Sequence, residues 1–220
     1  MNPTSLTILS LLLFAFTTYF PLAFTEQVKD TNGNPILADV KYFIWPNSFS
    51  TGGGLRIGDT REPWQTDECP TTVLQDFSQN DHGLPIKFTI PETSNGASTT
   101  ISTNLPVHIE FDIKPECAKS LKWELFQQDF FPLQWVAIGD YHDGHLNDRI
   151  MEGFFNIQKH GTGYKLVFCS TDVFAPPDSC FDVGRYHDEK GNRLVLTENN
   201  DPFNLVFIAA DNSGSGRSVV

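Results

Sequence analysis

Three short stretches of the sequence carry side chains of types that serve in catalytic or ligand-binding sites. Residues 140–145 (DYHDGH) offer two imidazoles and two carboxylates, which are common zinc ligands. Asp188 and Glu189 are a carboxylate pair of the kind that hydrolyses glycosides when two such groups flank a glycosidic bond. Residues 52–54 are a run of glycine, the residue that lets a backbone approach a phosphate closely.

Each stretch also has an ordinary explanation. DYHDGH has the composition of a solvated turn, and 27 acidic residues make chance carboxylate pairs unavoidable. The glycine run lacks the Lys-Ser/Thr that follows it in phosphate-binding loops, and no Gly-x-Ser-x-Gly occurs. None of the four tryptophans has glutamine two residues before it, so the Gln-x-Trp repeat of ricin-type lectins is missing. We therefore predict no catalytic residue, no metal and no cofactor.

The charge balance argues against two classes of partner. The 220 residues include 27 Asp and Glu against 15 Lys and Arg, a net charge of −12. Such a chain repels phosphate backbones and anionic headgroups, so neither nucleic acid nor a membrane surface is an expected partner. With 40% hydrophobic and 19% charged residues, the chain can build the core of one globular domain.

Residues 1–24 are predicted to be a secretory signal peptide. The run 6–24 (LTILSLLLFAFTTYFPLAF) is uncharged, and a transmembrane helix of about 20 apolar residues is the alternative. The N-terminal position, Pro21 and the absence of flanking Lys or Arg favour cleavage near 23–25. We expect a secreted or vacuolar protein that contacts no membrane after signal removal.

Cysteine number and spacing predict two disulfides in such a secreted chain. No Cys-x-x-Cys occurs, so a zinc site is not indicated. Three pairings are possible. The short separation of Cys169 and Cys180 favours a bond between them, which leaves Cys69 with Cys117.

Short runs rich in Val, Ile, Phe, Tyr and Thr alternate with turn residues along the rest of the chain, a pattern typical of β-strands. No sustained helical period occurs, and 116–126 is the one segment compatible with a helix. We predict an all-β barrel or sandwich with a frayed tail at 211–220. The predicted strands are 40–45, 72–74, 85–90, 107–113, 135–138, 154–157, 164–169, 193–197 and 204–209.

The beginning of the mature chain resembles the signature of the plant Kunitz inhibitor family, the soybean trypsin inhibitor type. That signature has six fixed positions, which this chain fills with Val28, Asp30, Gly33, Ile36, Tyr42 and Ile44. Further family-like segments follow in the family's order: Cys69-Pro70, 83–86 (GLPI), Trp135, 164–169 (YKLVFC) and 191–197 (GNRLVLT). The resemblance covers about residues 27–210.

The resemblance implies a β-trefoil, with twelve strands in three pseudo-repeats, over residues 25–210. The four cysteines lie where the family keeps its two disulfides. It further implies a monomeric protease inhibitor rather than an enzyme, with a serine protease as the first expected partner and a cysteine protease as the second. A Kunitz-fold storage or binding protein without inhibitory activity is the alternative, and a glycosidase is less favoured.

In this family an exposed loop enters the protease like a substrate, held in its bound conformation so that little entropy is lost. The resemblance places that loop between strands 85–90 and 107–113, with Glu92, Thr93 or Ser94 at the specificity position and Asn34 bracing the backbone. Residues 89–106 contain no Lys, Arg or aromatic. A trypsin pocket has a carboxylate at its base, so we expect weak trypsin inhibition or none. Lys87, the nearest cation, has the alternation of a strand residue.

The signal peptide can be tested on the secreted product. Because the uncharged run precedes the first family motif, we expect intact-mass analysis to give a mature N-terminus near Thr25. A purified protein that retains Met1 would contradict this prediction.

Overall fold

The computed structural model describes residues 25–48, 52–59, 70–91, 99–113, 115–127, 131–139, 149–171, 179–197 and 201–210. Within these ranges the chain forms thirteen strands and no helix, as the β-type runs predicted. The strands are β1 (Tyr42–Pro46), β2 (Leu55–Gly58), β3 (Thr72–Gln75), β4 (Ile86–Thr89), β5 (Pro106–Phe111), β6 (Trp123–Gln127), β7 (Trp135–Ile138), β8 (Arg149–Met151), β9 (Gly153–His160), β10 (Gly163–Ser170), β11 (Cys180–Asp188), β12 (Gly191–Thr197) and β13 (Leu205–Ala209).

Six strands form a closed barrel. β1 pairs with β13 and β4, β5 pairs with β4 and β9, and β10 pairs with β9 and β13, all antiparallel. Each barrel strand therefore has a neighbour on both sides, and the ring closes between the first and last strands of the chain. Closure removes the exposed sheet edges that invite pairing with other chains.

Three hairpins lie beside the barrel: β2–β3, β6–β7 and β11–β12. They contact one another through β3–β7, β3–β12 and β7–β12, so each hairpin touches the other two. A six-stranded barrel with three mutually packed hairpins is the arrangement expected of a β-trefoil. The thirteenth strand is β8, which Glu152 alone separates from β9 and which pairs with β6 instead of continuing into the barrel.

The nine predicted strands all occur, with ends shifted by at most a few residues, whereas β2, β6, β8 and β11 were not predicted. The segment 116–126, the one compatible with a helix, contains most of β6 and no helical residue. Trp123 and Leu125 are buried on either side of the half-buried Glu124, and the segment pairs with β7 as a strand. β11 was not predicted because its sequence lacks a run of apolar and β-branched residues: Arg185 and His187 on its outer face are exposed and polar.

Aromatic side chains fill the barrel. The rings of Phe88 and Phe207 meet edge to face at 5.5 Å, and those of Phe155 and Phe168 at 5.3 Å. All four side chains are at most 1% exposed. Interlocked rings of this size supply much of the burial that stabilises the fold, about 1.5–3 kcal/mol for each side chain.

Two tyrosine hydroxyls join the barrel to the segment that precedes it. The hydroxyl of Tyr42 accepts a hydrogen bond from the amide of Leu37 (3.1 Å), and that of Tyr164 accepts one from the amide of Lys29 (2.9 Å). Val28 and Ile36 in this segment are fully buried against the barrel core. Residues 25–40 are therefore an ordered part of the domain.

A disulfide joins Cys169 and Cys180, which lie directly opposite each other on β10 and β11. Cys117 is also disulfide-bonded, and its predicted partner, Cys69, lies outside the described residues. The predicted signal peptide (1–24) and tail (211–220) lie outside them as well. No helix long and apolar enough to cross a membrane occurs in the described part of the chain.

The importance of the barrel core can be measured with two phenylalanines of opposite exposure. Phe88→Ala leaves a cavity among fully buried rings, so we expect a loss of about 3–5 kcal/mol in the free energy of unfolding, measured in urea. Phe77 is 46% exposed, and Phe77→Ala is the control, with an expected loss below about 1 kcal/mol. Equal losses from both variants would contradict this account of the core.

Candidate functional site

The predicted inhibitory loop connects β4 to β5, and the structure describes both of its ends. Ile90 and Pro91 follow β4, and 99–105 lead into β5. Glu92, Thr93 and Ser94 lie outside the described residues, so their role at the specificity position stays a prediction.

The distal end of the loop is held on both sides by the segment that precedes β1. The amide of Ala38 donates to the carbonyl of Thr99 (2.7 Å). The amide of Ile101 donates to the carbonyl of Ile36 (2.8 Å), and its carbonyl accepts from Val28 (3.0 Å). The side chain of Ile101 is 1% exposed and belongs to the main core. The chain is thus held from Thr99, the first described residue after position 98, through Ile101.

Two further residues continue this attachment toward β5. The amide of Thr103 donates to the carbonyl of Glu26 (2.7 Å), and the Thr103 hydroxyl accepts from the Glu26 amide (2.9 Å). Asn104, at a φ of 60°, donates its amide to the carbonyl of Ile157 on β9 (2.9 Å). Asparagine tolerates this left-handed conformation better than most residues, which explains its place at the bend.

Charged side chains join β4 to the segments next to β1 and β5, at the end of the β4–β5 hairpin away from the loop. Asp112 pairs with Lys41 through one carboxylate oxygen and with Lys87 through the other, both at 2.5 Å. Hydrogen bonds from Lys41 and then Lys87 lower the pKa of Asp112, and the bond to Asp112 raises the pKa of Lys87. Lys87 lies on β4, as its alternation predicted, and its ammonium group is paired with Asp112.

The turn that contains Asn34 is organised by Asp30, a residue to which the sequence analysis assigned no role. One carboxylate oxygen of Asp30 accepts from the amides of Asn32 (2.9 Å) and Asn34 (2.8 Å), and the other lies 3.4 Å from the side-chain amide of Asn34. Gly33, at a φ of 84°, allows the chain to reverse. The signal for Asp30 was its fixed position in the family signature.

Asn34 lies beside the anchored end of the loop. It is exposed and precedes by two residues Ile36, whose carbonyl accepts the Ile101 amide. Within the described residues its side-chain hydrogen bond goes to Asp30. Its position suits a bracing role toward 92–98, and that role stays a prediction.

The other stretches identified in the sequence do not form a site in the described structure. Asp188 pairs with Arg193 (2.8 Å) and accepts from the amide of Lys190 (3.1 Å), which makes it a residue of the β11–β12 turn. Residues 140–145 lie outside the described ranges. In the described part of the chain, no three His, Cys, Asp or Glu side chains are grouped as metal ligands.

This geometry suits a loop that recognises a binding partner. Ile90, the residue after β4, packs against the core, and Thr99 is hydrogen-bonded to Ala38, so the segment between them has two fixed ends. Fixed ends reduce the number of conformations that a loop loses on binding. This is the physical requirement for a substrate-like loop that binds tightly.

Comparison with known proteins identifies the family. The family model for Kunitz-type trypsin and protease inhibitors of legumes matches residues 28–209. The Kunitz-type trypsin inhibitor-like 1 protein of Pisum sativum is 45% identical over 219 residues, which cover 96% of this chain and 95% of that protein. Subtilisin inhibitor CLSI-II of Canavalia lineata is 42% identical over 190 residues, covering 84% of this chain and 93% of that protein.

Solved structures lead to the same conclusion. A Kunitz-type trypsin inhibitor from Cicer arietinum is 43% identical and superposes with a TM-score of 0.73, covering 84% of this chain and 99% of that one. The likeness confirms the β-trefoil fold that the barrel and the three hairpins indicate. The chain belongs to the plant Kunitz family of trypsin and protease inhibitors.

Proposed function

We propose that the mature protein, a secreted or vacuolar monomer, inhibits a serine protease other than trypsin by presenting Glu92, Thr93 or Ser94 to the primary specificity pocket. One observation carries the proposal: the loop has anchored ends, yet residues 90–105 contain neither Lys nor Arg. The anchored ends support inhibition, and the missing cation argues against trypsin.

Trypsin requires a cation because the carboxylate at the base of its pocket is buried when the pocket is filled. Thr93 and Ser94 supply no charge to pair with that carboxylate, and the carboxylate of Glu92 would be repelled by it. Lys87 is an unsuitable substitute, since it lies within β4 and its ammonium group is paired with Asp112 at 2.5 Å. Trypsin would therefore keep a buried acid without a partner, which is costly.

A protease whose pocket lacks a buried acid removes this penalty. The relative from Canavalia lineata is named as a subtilisin inhibitor, and it is 42% identical to this chain. Subtilisin is therefore the first protease to test, and a cysteine protease is the second. On this proposal the protein has no catalytic turnover of its own.

A second candidate, a storage or binding protein without inhibitory activity, is favoured by the same lack of a cation in 90–105. The two candidates differ in one measurable respect. An inhibitor forms a complex with its protease and leaves the protease's substrate uncut, whereas a storage protein leaves the protease active.

Titration of subtilisin with the mature chain separates the candidates. We expect activity to fall linearly to zero at a 1:1 ratio and the complex to elute as one species in gel filtration, because the anchored loop loses little entropy on binding. Trypsin, run in parallel, should retain most of its activity. Full subtilisin activity at excess protein would favour the storage candidate.

The specificity position can be tested by supplying the missing charge. Thr93→Arg should create trypsin inhibition, since one desolvated charge pair contributes about 2–4 kcal/mol, or roughly 30- to 1000-fold in the inhibition constant. Thr171→Arg is the matched control, because it adds the same charge at an exposed position outside the loop and should not inhibit trypsin.

The bracing role of Asn34 is tested in the same background. Asn34→Ala, combined with Thr93→Arg, should weaken the gained inhibition because the loop becomes less ordered before binding. Nanomolar trypsin inhibition by the unaltered chain, abolished by Lys87→Ala, would show that the specificity position is misplaced.

A further inference from the structure

A polar cavity of about 440 Å³ lies among the β1–β2 connection, the segment after β3, and β11 and β12. Phe77, Arg185, His187, Asn192 and Asp201 line it, with Gly52 at one side. These residues lie outside the 90–105 loop, and nothing in the proposed inhibition uses them. The cavity therefore requires a separate explanation.

The floor of the cavity is organised by Gln75, whose side chain is fully buried. Its amide nitrogen donates to the carbonyl of Gly53 (3.1 Å), and its oxygen accepts from Arg185 (2.8 Å) and Asn192 (3.2 Å). A buried amide is costly unless it is hydrogen-bonded, so Gln75 holds these two side chains in fixed positions. The polar groups of the cavity are thereby oriented before any ligand arrives.

The glycine run 52–54 explains how the backbone comes so close to this floor. The amides of Gly53 and Gly54 donate to the carbonyls of Asp76 and Asp81, both at 2.8 Å. A Cβ on Gly53 would collide with the carbonyl oxygen of Ser78, and one on Gly54 with that of His82. The glycines therefore allow the β1–β2 connection to pack closely against the β3–β4 connection, and a phosphate-binding role is not needed to explain them.

One wall of the cavity is aromatic. Phe77 is 46% exposed, and its ring lies 5.4 Å from the imidazole of His187, whose Nδ1 is 3.1 Å from the Asn192 side-chain oxygen. An exposed ring is costly in water, and this one borders a cavity rich in hydrogen-bonding groups. Its open face offers an apolar surface to a flat ligand.

The charges facing the cavity are mixed. Arg185 provides a guanidinium group, packed with its carbon 5.0 Å from the centre of the Phe203 ring. Asp201 provides a carboxylate close enough for its charge to act on Arg185. Because these two opposite charges act on each other, neither sign of ligand charge is favoured overall, and a neutral ligand that both donates and accepts hydrogen bonds suits the cavity.

We infer that this cavity binds a neutral hexose unit. A pyranose ring has an apolar face that stacks on an aromatic side chain, and hydroxyl groups that both donate and accept hydrogen bonds. Phe77 supplies the stacking surface, and Asp201 supplies a hydrogen-bond acceptor. The guanidinium group of Arg185 and the side-chain amide of Asn192, both held by Gln75, supply donors. Among the described residues that line the cavity there is no tryptophan, and the arrangement is distinct from the Gln-x-Trp sites that the sequence lacks.

The inference is tested by nuclear magnetic resonance titration of the ¹⁵N-labelled mature chain with the methyl glycosides of glucose, galactose, mannose and N-acetylglucosamine. We expect at least one of them to shift the amide signals of Phe77, Asn192 and their neighbours in a saturable manner. Phe77→Ala and Asp201→Asn should each weaken the affinity about tenfold, the equivalent of losing roughly one aromatic or hydrogen-bonded contact.

Tyr186→Ala is the matched control. Tyr186 is an exposed aromatic residue like Phe77, but it lies on β11 and is not among the residues that line the cavity. The variant should leave the sugar affinity unchanged. Well-dispersed spectra of all variants show that they fold. The inference is overturned if no glycoside shifts these signals at about 50 mM, if Phe77→Ala binds as tightly as the unaltered chain, or if inorganic phosphate causes the same saturable shifts.

Discussion

Pairing between β1 and β13 is the constraint on which the rest of the molecule depends. Five consecutive residue pairs, from Tyr42 opposite Ala209 to Pro46 opposite Leu205, join the first strand to the last. Without this contact the six strands form an open sheet, and Phe88 and Phe207 no longer meet. Closure requires contacts between β1 and β13, whose paired residues are more than 150 positions apart in the sequence. Long-range contacts of this kind slow folding. The closed barrel also holds β4 and β5, the two strands that carry the predicted inhibitory loop.

On the proposed function, the scaffold and the loop have separate roles. The scaffold fixes the backbone through contacts made by Thr99, Ile101 and Thr103 with the segment before β1. On the proposed function, the side chains of Glu92, Thr93 and Ser94 determine the target. This division explains how one family holds proteins named as trypsin inhibitors and as subtilisin inhibitors on one fold.

Much of the fold could be predicted from the sequence, because alternation marks strands with one buried face. Tyr42, Ile44 and Pro46 are buried on β1, with half-buried residues between them, and the pattern is visible in the letters. β11 was missed because Arg185 and His187 are polar residues on a face that lines a cavity. The trefoil itself came from a resemblance, since a period of two is shared by barrels and sandwiches. Asp30 was missed as a support of the site because its importance lies in hydrogen bonds that a sequence does not display.

The same closure places the two ends of the domain next to each other. The amide of Ala210 donates to the carbonyl of Lys41, and the amide of Thr31 donates to that of Phe207, so the first and last described stretches are in direct contact. Domains with adjacent ends accept circular permutation, because a short linker can join the old termini without strain. The tight β9–β10 turn at Gly161 and Thr162 is exposed and far in sequence from the loop, and it is a suitable place to open new termini. A permuted chain would begin with β10 and still carry the loop between β4 and β5 of the same barrel. The order in which the strands are synthesised can therefore change without changing the position of the loop.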